Sequence, residues 1–165
     1  MVINNLKEAE ELINKRKAVK ELNKTLQQEP GAQNKETVLV LISAEDHNGA
    51  LAIDRKMKEN MQRLAQGYNV HCVLVERSLD VKKQVKQLKG CGKAIGHLVV
   101  IAHGGVEKGV CLAGKCVSEY VQNEFKGEKI KRCLFFSCLS AAQNVLVHSI
   151  SGSKSTRLRQ QLIQI

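Results

Sequence analysis

The chain has no tryptophan, and aromatic residues make up only 3% of its 165 positions. A core without large rings must be built from Val, Leu, Ile and Ala, and a hydrophobic fraction of 43% suffices for one domain of this length. The same scarcity removes the interleaved aromatic and basic residues of a single-strand nucleic-acid platform. A net charge of +10 raises the expectation of an anionic partner. Its lysines and arginines, however, are spread over Lys15–Lys24, Arg55–Arg63, Lys82–Lys93, Lys126–Arg132 and Lys154–Arg159 among Glu and Gln. That distribution reads as solvated helix faces, so no specific nucleic-acid partner is expected.

Other absences narrow the class further. No apolar run approaches the roughly 18 residues of a membrane span, so none is expected. Met1–Lys24 is charged and lacks the apolar stretch of a signal peptide. The six cysteines, at 72, 91, 111, 116, 133 and 138, include no C-x-x-C pair and no Cys/His zinc spacing. No metal and no cofactor is therefore expected, and the location expected is the cytoplasm or another reducing compartment. Cys72 and Cys133 lie in apolar runs and read as small core residues. Cys111 and Cys116 fall in a hairpin-like loop where oxidation or metal binding is conceivable, against a plainer structural role. The lack of G-x-x-x-x-G-K and G-x-G-x-x-G elements ranks a nucleotide binder last.

What is present is an alternation of strands and helices. Asn4–Leu26 has helical periodicity through Leu6, Ala9, Leu12 and Ile13, and it ends before the only proline, in Gln27-Gln28-Glu29-Pro30-Gly31. Residues 1–35 are expected to form a helical arm and exposed linker, and residues 36–165 one α/β domain. Strands are expected at Thr37–Ser43, Val70–Val75, Leu98–Ala102 and Cys133–Phe136. Helices are expected at Ala50–Gln66, at Leu79–Leu88 behind a Ser78 cap, at Val117–Phe125 and at Ala141–Ser149. Gly104–Lys115 reads as a glycine-rich loop with a small hairpin. The architecture expected is a three-layer α/β sandwich with a mostly parallel sheet of at least four strands.

In such sheets, functional groups gather at the carboxyl ends of the strands. The third strand ends in Ala102-His103-Gly104-Gly105 and the fourth in Ser137-Cys138-Leu139-Ser140. A cysteine attacking a carbonyl needs a base or a pre-formed thiolate, and a histidine at a neighbouring strand end supplies either. Gly104 lets the backbone approach a substrate and present an N–H to a developing oxyanion, with the Cys138 N–H as second donor. His71 and His97 read as structural, His148 as core or surface, and His47 as a residue of the first strand-end loop.

The pattern of apolar strand then His-Gly, followed by apolar strand then Cys, resembles the caspase-like cysteine peptidase superfamily, clan CD. Its CHAT-domain and caspase-type members are similar in pattern. The resemblance spans Glu36–Gln143, about two-thirds of the chain, and includes Gln66-Gly67-Tyr68-Asn69-Val70 and the stretch from His103 through Leu112-Ala113-Gly114 to Cys138. It implies a caspase-like fold, His103 as catalytic base, Cys138 as nucleophile, Gly104 as oxyanion-hole glycine, and a protein or peptide substrate, including the chain itself. It also implies that the loop after the first strand helps form the pocket for the residue before the cleaved bond. Here that loop carries Glu45, Asp46 and His47, so a basic residue is expected to be preferred there, against the plainer reading in which the two carboxylates only solvate the loop or cap the helix starting near Ala50. Phe136-Ser137-Cys138-Leu139-Ser140 stands in place of the caspase Gln-Ala-Cys-Arg-Gly, and only 27 residues follow Cys138. The short C-terminal region favours the alternative, a non-catalytic caspase-like interaction module binding a protein partner through the N-terminal helical arm or the basic surface.

Overall fold

A computed structural model of the protein describes residues 6–31, 34–46, 51–105 and 109–136. In chain order the elements are α1 (Leu6–Leu26), β1 (Thr37–Ser43), α2 (Arg55–Gly67), β2 (Asn69–Val75), α3 (Ser78–Gly90) and β3 (Ile95–Ile101). The short strands β4 (Gly104–Gly105), β5 (Gly109–Leu112) and β6 (Lys115–Cys116) follow, then α4 (Val117–Asn123) and β7 (Arg132–Phe136). The helix expected at Ala141–Ser149 lies outside the described residues.

Strand β1 is buried at every position, as an apolar run inside a parallel sheet covered on both faces should be. It pairs in parallel with β2 on one side and β3 on the other, and β7 continues the sheet beside β3. The order is β2-β1-β3-β7. Alternation along the strands splits the core into two layers. Leu39 and Leu41 of β1 join Leu98 and Val100 of β3 in packing against Val81, Val85 and Leu88 of α3 and Tyr120 and Val121 of α4. Val38, Val40 and Ile42 join Val99 and Ile101 in packing against Val19, Leu22 and Leu26 of α1 and Met61 and Ala65 of α2. This is a three-layer α/β sandwich. The chain steps from β1 to β2 over the α2 face and returns across β1 to β3 over the opposite face. It steps on to β7 over that same face, so the three crossovers share one hand.

The N-terminal helix, expected as an arm, is a layer of this sandwich. Besides its buried apolar side chains, α1 covers the outer edge of β2. Asn23 Nδ2 donates to the Cys72 carbonyl at 2.7 Å, the Cys72 N–H donates to Asn23 Oδ1 at 2.8 Å, and Gln27 Nε2 donates to the Val70 carbonyl at 2.9 Å. Amide side chains thus complete backbone groups that an edge strand would otherwise expose.

Helix boundaries differ from expectation where polar side chains set them. Helix α2 begins at Arg55 rather than Ala50 because the Asp54 carboxylate caps it, accepting from the Met57 N–H at 2.8 Å. Ser78 is the first residue of α3 rather than its cap. Asp80 reaches back to accept from the N–H groups of Arg77 at 2.8 Å and Glu76 at 3.1 Å. No described helix is long and apolar enough to cross a membrane.

Candidate active site

The strand order reverses between β1 and β3: the chain leaves β1 toward one side and returns to build the other. A crevice at the carboxyl ends of these two strands is where ligands of open α/β sheets bind. The residues leaving the two strands there are Ala44–Asp46 and Ala102–His103.

The path from β1 to Asp46 is fixed locally. The Ala44 N–H donates to the Val75 carbonyl at 3.1 Å, extending the pairing with β2 by one bond. The Ser43 hydroxyl, buried at the end of β1, accepts from the Glu45 N–H at 3.2 Å. This serine turn accompanies a bend at Ala44, just past β1. Asp46 Oδ1 lies 3.0 Å from His103 Nε2. Asp46 Oδ2 accepts from Lys15 Nζ of α1 at 3.2 Å and from the Leu51 N–H at 3.0 Å.

Lys15 and Asp46 are largely withdrawn from water, with side chains 10% and 11% exposed, while that of His103 is 27% exposed. Burial alone pushes the Asp46 carboxyl upward. The His103 hydrogen bond, the charge and hydrogen bond of Lys15 and the Leu51 N–H outweigh burial and hold it below its ordinary value. Asp46 is therefore ionised near neutral pH and can only accept, which makes His103 Nε2–H the donor of the shared bond. A neutral imidazole bonded this way keeps its basic lone pair on Nδ1.

Helix α1 is held against this end of the sheet by a second ion pair. Arg16 Nε and Nη2 each lie 2.6 Å from a carboxylate oxygen of Glu76, just past β2. The arginine hydrogen bond and charge hold the Glu76 carboxyl below its usual range. Consecutive basic residues of one helix thus fasten the residues following β1 and β2.

Of the residues singled out by sequence, the structure brings His103 and Asp46 into direct contact. Gly104 follows in β4, where its register partner is Val110. Glu45 is half-buried, its backbone engaged in the serine turn. His47 and Cys138 lie outside the described residues. Asp46 was expected to line a substrate pocket or, in the plainer reading, to solvate its loop or cap the helix after it; its oxygens bind His103, Lys15 and the Leu51 N–H. Lys15 escaped sequence reasoning because it sits in a run of dispersed charge. The Asp46–His103 contact joins residues 57 apart and becomes visible only when β1 and β3 are known to be neighbours. His97 and His71 lie on β3 and β2, away from this end. Burial and the nearby Lys93 push the His71 imidazole down to about 4. Among the described residues, no three His, Cys, Asp or Glu side chains converge as a metal would require.

Compared with family models, curated proteins and solved structures, the chain matches none.

Proposed function

We propose that the protein is a cysteine endopeptidase of the caspase-like type, with His103 as base, Cys138 as nucleophile and Asp46 as the group that orients His103. The observation that carries this reading is the register of β3 against β7. Ile101 is paired with Phe136, and the Ala102 N–H donates to the Phe136 carbonyl at 3.3 Å. His103 is two residues beyond Ile101 in sequence, and Cys138 is two residues beyond Phe136. The base and the nucleophile are thus equally far past a matched pair on adjacent parallel strands. The Asp46 contact adds a base whose proton-bearing nitrogen is already assigned.

The chemistry follows from these roles. His103 takes the proton of the Cys138 thiol, and the thiolate attacks the carbonyl carbon of the scissile peptide bond. The N–H groups of Gly104 and Cys138 receive the negative charge that develops on the carbonyl oxygen. The imidazolium, stabilised by Asp46, gives its proton to the leaving amine as the C–N bond breaks. Water then attacks the thioester carbonyl, His103 removes its proton, and the acid product departs with the Cys138 thiol restored. Because the Asp46 carboxylate is engaged within the fold, the preference for a basic residue before the cleaved bond rests on Glu45.

The test is labelling of wild type and Cys138→Ala with electrophilic peptide probes that differ at the residue before the reactive group. The reading expects covalent labelling at Cys138, lost in the variant, and strongest with Lys or Arg at that position. Labelling that persists in Cys138→Ala overturns the assignment of the nucleophile. No labelling by any probe returns the domain to the interaction-module reading.

A further inference from the structure

The hairpin between β3 and α4 holds a second pair of reactive side chains, outside the candidate active site. Strands β5 and β6 pair antiparallel, with Leu112 opposite Lys115 and Cys111 opposite Cys116. The turn between them is Ala113-Gly114, with φ of 48° and 76°. Two consecutive left-handed residues match the tight turn that suits the twist of a two-stranded ribbon. In such a hairpin the residues flanking the turn form the hydrogen-bonded pair, and the next pair outward is non-hydrogen-bonded. Cys111 and Cys116 occupy that outward position. Cα atoms there stand about 4.5 Å apart, inside the range a disulfide spans. Their sulfurs are 3.6 Å apart, and both residues are half-buried rather than sealed in the core.

We propose that Cys111 and Cys116 are a dithiol redox site that closes reversibly to a cross-strand disulfide by exchange with a small-molecule disulfide of the glutathione class. One cysteine, as thiolate, attacks a sulfur of the oxidant; a mixed disulfide forms and one glutathione thiolate leaves. The second cysteine, as thiolate, attacks the protein sulfur of that mixed disulfide, the protein S–S bond forms, and the second glutathione leaves. The protein gives up two electrons and two protons, and the oxidant becomes two thiols. Small rotations of the side chains bring the sulfurs to bonding distance, with no change of strand register.

The other described cysteines are placed differently. Cys72 and Cys133 are buried in strands, and burial pushes both thiols up to about 12. Cys91 is exposed just past α3. The closed bridge would lie beside Val110, whose register partner is Gly104, so it would fasten the hairpin that follows His103. Its formation does not depend on Cys138 being a nucleophile.

The experiment equilibrates the full chain in glutathione buffers of graded oxidised fraction, quenches in acid, blocks free thiols with N-ethylmaleimide, and digests with trypsin under denaturing, non-reducing conditions. Cleavage after Lys108, Lys115 and Lys126 separates the two cysteines onto peptides 109–115 and 116–126. The expected product is these peptides joined, lighter by two hydrogen atoms than their reduced sum, increasing with the oxidised fraction and abolished by dithiothreitol. In Cys116→Ser, Cys111 should instead retain a glutathione adduct that the wild type resolves. Both cysteines recovered blocked, or as separate adducts, at every oxidised fraction overturns the proposal. So does a bridge from either cysteine to Cys91 or Cys138, or a Cys116→Ser variant with no more glutathione at Cys111 than wild type.

Discussion

The two ends of the parallel sheet carry the same three groups, an imidazole, a carboxylate and an ammonium, in different surroundings. At the carboxyl ends, His103 meets Asp46 at 3.0 Å and Lys15 closes the trio from α1. At the amino ends, His97 Nε2 meets Glu36 Oε2 at 2.9 Å, and Lys131 binds the other oxygen of Glu36. The second trio is a clamp. Gly96 leaves room for it, since a Cβ there would stand 2.5 Å from Glu36 Oε1, and Tyr68 meets the His97 ring edge-on at 5.0 Å between centroids. The Glu36 and Lys131 side chains are 36% and 63% exposed, against 11% and 10% for Asp46 and Lys15. A histidine bonded to a carboxylate is therefore no sign of catalysis by itself. What sets the first trio apart is the burial of its carboxylate and ammonium, its position where the strand order reverses, and a neighbouring strand that Cys138 follows in sequence; its imidazole is the more exposed of the two, 27% against 12% for His97.

The comparison can be broken most forcefully at the two histidines. His103→Ala is expected to lower peptide hydrolysis by about 10²- to 10⁴-fold, the usual worth of a positioned general base. His97→Ala should leave the rate unchanged, and an equal loss in both would erase the distinction. The carboxylates come next. Asp46→Asn keeps the shape but weakens the hold on the His103 tautomer, and a loss of about 10²-fold in kcat is expected, as for a misaligned catalytic group. Glu36→Gln should not alter kcat.

Stability sharpens the contrast at the lysines. Lys15→Met leaves Asp46 shielded from water with one cation fewer. Breaking a fully buried pair costs about 3–5 kcal/mol; partial access of water reduces the expectation here to about 2 kcal/mol in urea unfolding. Lys131→Met, at an exposed pair, should shift the midpoint far less, and less again in high salt. The smallest effect is on acid stability. The Asp46 carboxyl lies below its ordinary 3.8 in the fold, so its contribution is complete above that value and is lost as pH falls through the lowered native one. Unfolding midpoints of wild type should therefore drop more steeply below about pH 4 than those of Asp46→Asn. Identical slopes would mean that Asp46 ionises in the fold as it does in the unfolded chain.

The sheet was legible because a strand buried on both faces has a signature of its own: TVLVLIS needed no partner to be read as β1, and its observed limits are those expected. Strand β3 begins at Ile95, not Leu98, because Ile95 pairs with Thr37 and His97 with Val38 of β1 and Arg132 of β7, the register shifting at Gly96. The Lys131 N–H donates to the Gly96 carbonyl at 2.8 Å. The packing of α1 was not legible. An amphipathic helix has the same periodicity whether it is an arm or a layer, and Asn23 and Gln27 look like solvent-facing residues until β2 supplies backbone groups to meet. At the site, His103 was found from its place after an apolar strand. Asp46 was found only as a charge in a loop, since its bond to His103 depends on strand order, which no local pattern contains.

The central claim, that His103 serves as base to Cys138, is tested most directly by the rate of iodoacetamide alkylation at each cysteine near neutral pH, followed by peptide mapping after brief exposure. Histidine-assisted thiolate formation predicts that Cys138 is labelled well ahead of the exposed Cys91 and of the buried Cys72 and Cys133, and that His103→Ala slows Cys138 while leaving Cys91 unchanged. Labelling of Cys138 no faster than Cys91 in the wild type, or a Cys138 rate indifferent to His103→Ala, would contradict it.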